Sequence, residues 1–402
     1  MNTKNIVIYV EAIDHYQFFI RMEKVLRESG FNVIYITLKL SLFFRLKKRG
    51  FNCRLIRKAE RNLTPEINFE SIIEFKGKFQ DPQSILRTYN SIYHLLEQIH
   101  LSENVGLMFI FGGYSVSGLV LEDFAAKHKI PKLYFELSNI PGKIFADPKG
   151  TNARSSISLN SNLLDEYSIN ESDFQIWRSG YVNSKLNQKD IPQSENIKPI
   201  NWGYFLDWFG FLFLRIPKGA NRGIFSQVTN KLLIKFNNLK PCNTSLTGVK
   251  YIFYPMQVST DAQVLINSNW NNSEAIIHAY NLAKTENLIL VIKPHTAEKS
   301  YAEIKKIKKL KKELGFIISD ENTFKLITES EKVITINSTV GLESLILKKE
   351  VTVLGNSFYK VFTQEQVKKY LTGFLIDIDF FAKDTIPKEK IDIILKRIDL
   401  QL

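Results

Sequence analysis

Ile334-Thr-Ile-Asn-Ser-Thr-Val-Gly-Leu-Glu-Ser-Leu-Ile-Leu347 is the stretch whose reading decides the fold. Val333 to Ile336 are apolar and mostly β-branched, which suits a buried strand. Asn337, Ser338 and Thr339 follow at once, and each is a good helix N-cap type. From Val340 onward the apolar residues Val340, Leu342, Leu345 and Ile346 take helical spacing. A strand, a polar turn and a helix start aim backbone N–H groups and the positive end of a helix dipole at an anion. Gly341 leaves room for a ligand to approach the backbone, and Glu343 is placed to meet a ribose hydroxyl. The same residues also spell an ordinary strand–helix turn with a Ser/Thr cap, so neighbouring segments must decide between the two.

Working outward, the C-terminal half repeats the pattern. Lys250 to Tyr254 reads as a strand and runs into Pro255-Met-Gln-Val-Ser-Thr-Asp261. A helix from about Ser273 leads to the strand Leu288 to Ile292, which ends in Lys293-Pro-His-Thr296. Tyr301 to Leu314 carries six lysines and reads as a helix with a solvated face. Val351 to Leu354 is a further strand before Gly355-Asn-Ser-Phe-Tyr359, and Lys388 to Ile398 closes the chain as a helix.

The N-terminal half alternates in the same way. Asn5 to Val10, Asn32 to Thr37, Cys53 to Ile56, Gly106 to Phe111 and Pro131 to Glu136 read as strands. Helices are predicted over Tyr16 to Ser29, Leu38 to Arg49, Ser84 to His100 with Ser84 as cap, and from the Gly112-Gly-Tyr-Ser-Val-Ser-Gly118 turn to His128. That glycine spacing is not the dinucleotide fingerprint. Residues 137–156 are rich in Gly, Pro, Asn, Asp and Ser and read as a long loop, offering Glu136, Asp147, Asn152 and Arg154 as polar groups. The expected fold class is therefore α/β, with two Rossmann-like domains facing a central cleft. The expected boundaries are 1–190 for an N-terminal Rossmann-like domain, 191–245 for a connecting amphipathic segment, 246–385 for a C-terminal domain, and 386–402 for a helix returning to the N-terminal domain.

Composition narrows the class. The 402 residues are 44% hydrophobic and 24% charged, as in ordinary globular proteins, but the formal net charge is +13. That excess favours an anionic partner. No nucleic-acid motif is present, and the basic residues are spread through helices, so nucleic acid is not expected. Two distant cysteines, Cys53 and Cys242, form neither a disulfide framework nor a zinc pattern, and a reducing, cytoplasmic setting is expected. No apolar run reaches the ~18 residues of a membrane span. One segment nevertheless stands out: Trp202-Gly-Tyr-Phe-Leu-Asp-Trp-Phe-Gly-Phe-Leu-Phe-Leu214, followed by Arg215, Lys218 and Arg222. Aromatics beside cations suit peripheral contact through 202–222 with a membrane surface, which for a cytoplasmic protein is the cytoplasmic face of the inner membrane; a buried interdomain helix is the other reading.

Three strands of the second half end in polar groups: Gln257 with Asp261, Lys293 with His295, and Asn337, Ser338 and Thr339 with Glu343. Loops at the carboxyl ends of parallel strands share one crevice. There Lys293, His295 and the Ser338–Gly341 turn suit a phosphate, Glu343 a ribose, and Asp261 an electrophilic sugar carbon.

Two such domains facing a central cleft are the plan of the GT-B glycosyltransferases, and that likeness implies an acceptor-side domain in 1–190 and a donor domain in 246–385. Lys293-Pro-His295, Asn337-Ser-Thr-Val-Gly-Leu-Glu343 and Gly355-Asn-Ser-Phe-Tyr359 resemble the capsule polysaccharide biosynthesis family, whose characterised members include retaining β-Kdo transferases; Kdo is an acidic ulosonic sugar. Gln257-Val-Ser-Thr-Asp261 is similar to the Q-x-x-x-D motif of those enzymes. The resemblance covers about residues 250–360 and, more loosely, 106–157. Thr296 stands where the family has proline. The resemblance implies a CMP-β-Kdo donor, a glycan or lipid-linked acceptor, transfer with retention, no metal or other cofactor, and Asp261 as nucleophile beside Gln257 and His295. Arg154 is a candidate partner for the Kdo carboxylate by charge alone. A GT-B enzyme using a UDP-sugar (transferase or epimerase) and a non-catalytic assembly protein at a membrane surface are the rival readings.

Overall fold

The computed structural model describes residues 4–59, 63, 65–187, 202–217, 239, 241–242 and 245–398. The chain forms two compact units. The first comprises 1–163, 198–221 and 374–402; the second comprises 164–197 and 222–373.

The first unit is built on a six-stranded sheet of β1 (Lys4–Tyr9), β2 (Phe31–Thr37), β3 (Cys53–Leu55), β4 (Val105–Phe111), β5 (Lys132–Leu137) and β6 (Ile144–Asp147). Their order is β3-β2-β1-β4-β5-β6, parallel except for β6, which pairs antiparallel with β5. β1 is apolar on both faces because helices cover both faces. One face is closed by Phe18, Phe19 and the C-terminal residues Ile386, Ile391 and Ile394. The other is closed by the long helix Pro82–Glu103 and the helix Val116–Lys127.

The second unit holds β7 (Tyr251–Pro255), β8 (Ile289–Lys293), β9 (Ile317–Ile318), β10 (Lys332–Thr335) and β11 (Val351–Val353), all parallel, in the order β11-β10-β7-β8-β9. Each unit is thus an open parallel sheet with alternating helices, the Rossmann-like α/β architecture.

Several expectations are corrected. The predicted helix Tyr16–Ser29 is two helices, Ile13–Phe19 and Glu23–Glu28. Between them Arg21 and Met22 donate to carbonyls three residues back, and the buried Arg21 guanidinium donates to the carbonyls of Asp379 and Asp384 at 2.7 Å each. The long helix is capped by Asp81, whose carboxylate accepts from the Ser84 N–H at 2.9 Å, with Pro82 in the first turn. The loop 137–156 contains β6, hidden in sequence by its Gly and Pro flanks. Helix Glu171–Asn187 belongs to the second unit, not to an N-terminal domain ending at 190, and residues 374–385 belong to the first. Of the connecting segment 191–245, residues 191–201 and 218–238, with Lys218 and Arg222, lie outside the described residues.

One buried acid in the first unit yields a pH prediction. Glu74 is 1% exposed and accepts from the Val116 N–H at 3.1 Å, at the start of the helix after β4. Burial, reinforced by the nearby Glu11 charge, pushes its carboxyl up to about 7. The protonated form stabilises the fold, and that contribution is present below the ordinary carboxyl range and lost as pH rises through about 7. Glu74→Gln, which keeps an acceptor and cannot ionise, is expected to match wild type in unfolding free energy near pH 4.5 and to exceed it at pH 8 by ~2 kcal/mol. Melting curves across that range check the sign.

Candidate functional site

In the second unit the chain runs from β7 outward to β8 and β9, then returns to place β10 on the other side of β7. The strand order reverses between β7 and β10, and open parallel sheets bind ligands at such a point, beyond the carboxyl ends of the strands. The loop after β7 carries Gln257 and Asp261. The turn after β10 carries Asn337, Ser338 and Thr339.

These two loops are locked together. Gln257 Nε2 donates to Asn337 Oδ1 at 2.9 Å, and the Asn337 backbone N–H donates to Gln257 Oε1 at 2.9 Å. Asn337 Nδ2 donates to the Gln263 carbonyl at 2.8 Å and the Asn356 carbonyl at 3.2 Å. Both side chains are buried. Each amide is therefore committed to the brace, as buried polar groups require. Gln257 and Asn337 set the spacing of the crevice; their polar atoms point at each other.

Asp261 lies at the rim of this brace. It is exposed, caps the short helix Ala262–Leu265, and accepts from the Gln263 N–H at 2.8 Å. His295, exposed in the loop after β8, accepts the Ala297 N–H on Nδ1 at 3.1 Å. That leaves the proton of a neutral imidazole on Nε2, available as a donor. Partial burial lowers the His295 pKa, while the Asp261 and Glu298 carboxylates draw it back up. Lys293 Nζ donates to the Glu321 carbonyl at 2.8 Å.

The turn itself is a capped helix start. Ser338 Oγ accepts from the Val340 N–H at 3.0 Å at the head of the helix Thr339–Ile346. Gly341 is buried, and a Cβ there would meet the Tyr359 hydroxyl at 2.5 Å, so the glycine makes room for Tyr359. Tyr359 in turn donates to the Ser338 carbonyl. Glu343 is 5% exposed; it accepts from the Tyr181 hydroxyl at 3.0 Å and faces Lys185 Nζ at 3.4 Å, both on helix Glu171–Asn187. In this conformation Glu343 is held by protein groups.

The sequence reading missed the supports. Asn272 is fully buried: its Oδ1 accepts from the Tyr254 hydroxyl at 3.0 Å and the Gln257 N–H at 3.1 Å, and its Nδ2 donates to the Gln257 carbonyl at 2.9 Å and to Glu303 at 3.2 Å. Glu298 accepts from the Ser259 N–H at 2.7 Å and the Ser300 N–H at 2.7 Å, tying the Asp261 loop to the His295 loop. A run of two asparagines before a helix and a Glu near a Ser are the only traces either left in sequence.

Glu136, Asp147, Asn152 and Arg154 lie in the first unit, around β5 and β6. Glu136 is half-buried on β5 opposite Phe145. Asp147 is fully buried and spent on its own loop: it accepts from the N–H groups of Lys149 at 2.8 Å, Gly150 at 3.2 Å and Ser156 at 3.0 Å, and from the Ser156 hydroxyl. Asn152 adopts φ +49° at a tight turn and its carbonyl accepts from the Ser155 hydroxyl. The Arg154 guanidinium lies 4.6 Å from the Tyr114 ring centre and donates to the Ser71 carbonyl at 3.3 Å. Asp147 and Asn152 thus build the loop, while Arg154 borders a small hollow with Gly113, Lys149 and Thr151. Among the described residues no three His, Cys, Asp or Glu side chains are grouped to hold a metal ion.

Residues 234–366, which include this crevice, match the family described as capsule polysaccharide biosynthesis protein. Protein FixF of Sinorhizobium fredii is 31% identical over 116 residues, covering 28% of each chain. The capsule polysaccharide export protein KpsS of Escherichia coli is 25% identical over 207 residues, covering 44% of this chain and 53% of its own. The chain therefore spans about half or less of these curated relatives. Among solved structures, the KpsC β-Kdo 2,7 transferase of Thermosulfurimonas dismutans aligns over 99% of this chain and 100% of its own at 14% identity and a TM-score of 0.44. A UDP-GlcNAc 2-epimerase of Methanocaldococcus jannaschii aligns over 98% and 99% at 11% identity and a TM-score of 0.33.

Proposed function

We propose that the chain is a glycosyltransferase of surface-polysaccharide synthesis, capsule or O-antigen, that moves Kdo from CMP-β-Kdo to a glycan or lipid-linked acceptor with retention. The observation that carries the reading is the Gln257–Asn337 brace at the strand-order reversal, with Asp261 capping the next helix and its charge felt by His295 in the loop after β8. It lies within the segment that matches the capsule polysaccharide family.

In this reading an Asp261 carboxylate oxygen bonds to the anomeric carbon as the bond from that carbon to the CMP phosphate oxygen breaks. CMP departs with the electron pair. The His295 Nε2–H, Lys293 and the Ser338/Thr339 turn stabilise the leaving phosphate. An acceptor hydroxyl oxygen then bonds to the same carbon on the face that CMP vacated, as the bond from that carbon to Asp261 breaks. Its proton passes to solvent or a base, and the Asp261 carboxylate is regenerated. Two inversions give net retention. Glu343 reaches a ribose only by exchanging Tyr181 and Lys185 for it. Arg154 is the candidate for an acidic sugar on the first unit. The donor belongs to the cytoplasm, which is where we place the activity.

The test is ligand-induced stabilisation. A ligand that binds only the folded state raises the melting temperature. CMP at saturating concentration is expected to raise it by several degrees, and UDP is not. A shift with UDP alone would replace this reading with a UDP-sugar transferase or epimerase; a shift with neither would leave a non-catalytic role.

A further inference from the structure

Helix Trp202–Phe213 is built inside out. Its stripe toward the rest of the first unit is Gly203, Asp207 and Gly210, at helical spacing. Asp207 accepts from the Ser41 N–H at 2.9 Å and faces Lys39 at 3.9 Å; a Cβ on Gly210 would meet Leu40 at 3.2 Å. The small and polar residues thus face the protein. The apolar ones face out: Phe205 is 63% exposed, Trp208 59% and Phe213 65%, with Tyr204, Phe209 and Leu212 between them. The helix's acid is the residue turned inward and neutralised.

Cations flank this face. The Lys58 N–H donates to the Arg215 carbonyl at 2.7 Å, which gathers exposed Arg57, Lys58 and Arg215 at the helix end. Lys58 Nζ stands 5.8 Å from the Phe211 ring. On the supporting helix Leu40–Lys48, Phe44 is 51% exposed beside exposed Arg45, Lys47 and Lys48.

We propose that this face docks on an anionic lipid bilayer, with the helix lying in the interface. Twelve residues make ~18 Å of helix, too short to cross ~30 Å of hydrocarbon but suited to lie along it. No described helix is long and apolar enough to span. Aromatics enter the headgroup boundary while the flanking cations meet anionic headgroups. A second copy of the chain is disfavoured as occupant, because face-to-face pairing would set like charges together.

The inference goes beyond the transferase reading and is independent of it, since Asp261→Asn should bind vesicles as wild type does. The experiment is flotation with phosphatidylcholine vesicles, with and without phosphatidylglycerol. Wild type is expected to float with anionic vesicles, roughly tenfold more than with neutral ones. Phe205→Ser/Trp208→Ser/Phe211→Ser is expected to lose flotation while keeping the wild-type melting temperature. Arg57→Glu/Lys58→Glu is expected to lose the anionic preference. Flotation unchanged in the triple variant would overturn the proposal. So would absence of wild-type flotation, including the case where the triple variant only converts a dimer to a monomer.

Discussion

Asp261→Asn is expected to abolish sugar transfer, by roughly three orders of magnitude or more in kcat, with the CMP-induced rise in melting temperature intact. Three features make this substitution clean. The side chain is exposed, so no core is disturbed. Asparagine caps helices as well as aspartate does, so the Gln263 N–H keeps its acceptor. And removing the Asp261 charge lowers the His295 pKa further, so the imidazole stays neutral and keeps its Nε2–H as donor. What is lost is an anionic oxygen able to bond to carbon. A transferase working by direct displacement would lose far less, and equal turnover in the variant would sink the nucleophile role.

Asn272→Ala is expected to be the most destabilising single change near the site, at ~4 kcal/mol, or roughly a 10 °C fall in melting temperature of the second unit. One amide satisfies the Tyr254 hydroxyl, both backbone groups of Gln257 and one oxygen of Glu303. All are buried, so truncation leaves each to bear its desolvation cost. Glu303 worsens matters, because burial already raises its pKa and the Asn272 hydrogen bond, ahead of the Lys306 charge, favours its ionised form. The adjacent Asn271→Ala serves as control. It removes a helix cap at the surface and should cost ~1 kcal/mol. CMP affinity should fall in the first variant, where Gln257 loosens, and hold in the second. Equal losses in the two would show that Asn272 is no more than another cap residue.

What sequence reveals and conceals here follows from range. The apolar β-branched runs announced β1, β2, β4, β7, β8 and β10, because a strand covered on both faces has to be continuously apolar. Their polar ends announced Gln257, His295 and Asn337, because chain topology places such ends at one sheet edge. What these residues do there was not legible. Gln257 and Asn337 look like ligand-binding amides in sequence; eighty residues apart, they bond to each other. Gly341 looks like an approach route and is a recess for Tyr359. Glu343 is spoken for by Tyr181 and Lys185, more than 150 residues earlier in the chain. The boundary at 190 failed for the same reason. Helix Glu171–Asn187 joins the second unit through Arg178, Tyr181 and Lys185, which find partners that no local pattern predicts. β6 escaped because four residues between Gly142 and Pro148 look like loop chemistry until β5 supplies a partner.

Mass spectrometry of the intact protein, incubated with CMP-Kdo generated in situ and no acceptor, tests the central claim most directly. The account predicts that wild type gains the mass of one Kdo residue, located on the peptide that contains Asp261, and discharges it when acceptor is added. Asp261→Asn should gain nothing. Acceptor glycosylated at a normal rate by Asp261→Asn, or an adduct mapped to another residue, would contradict it.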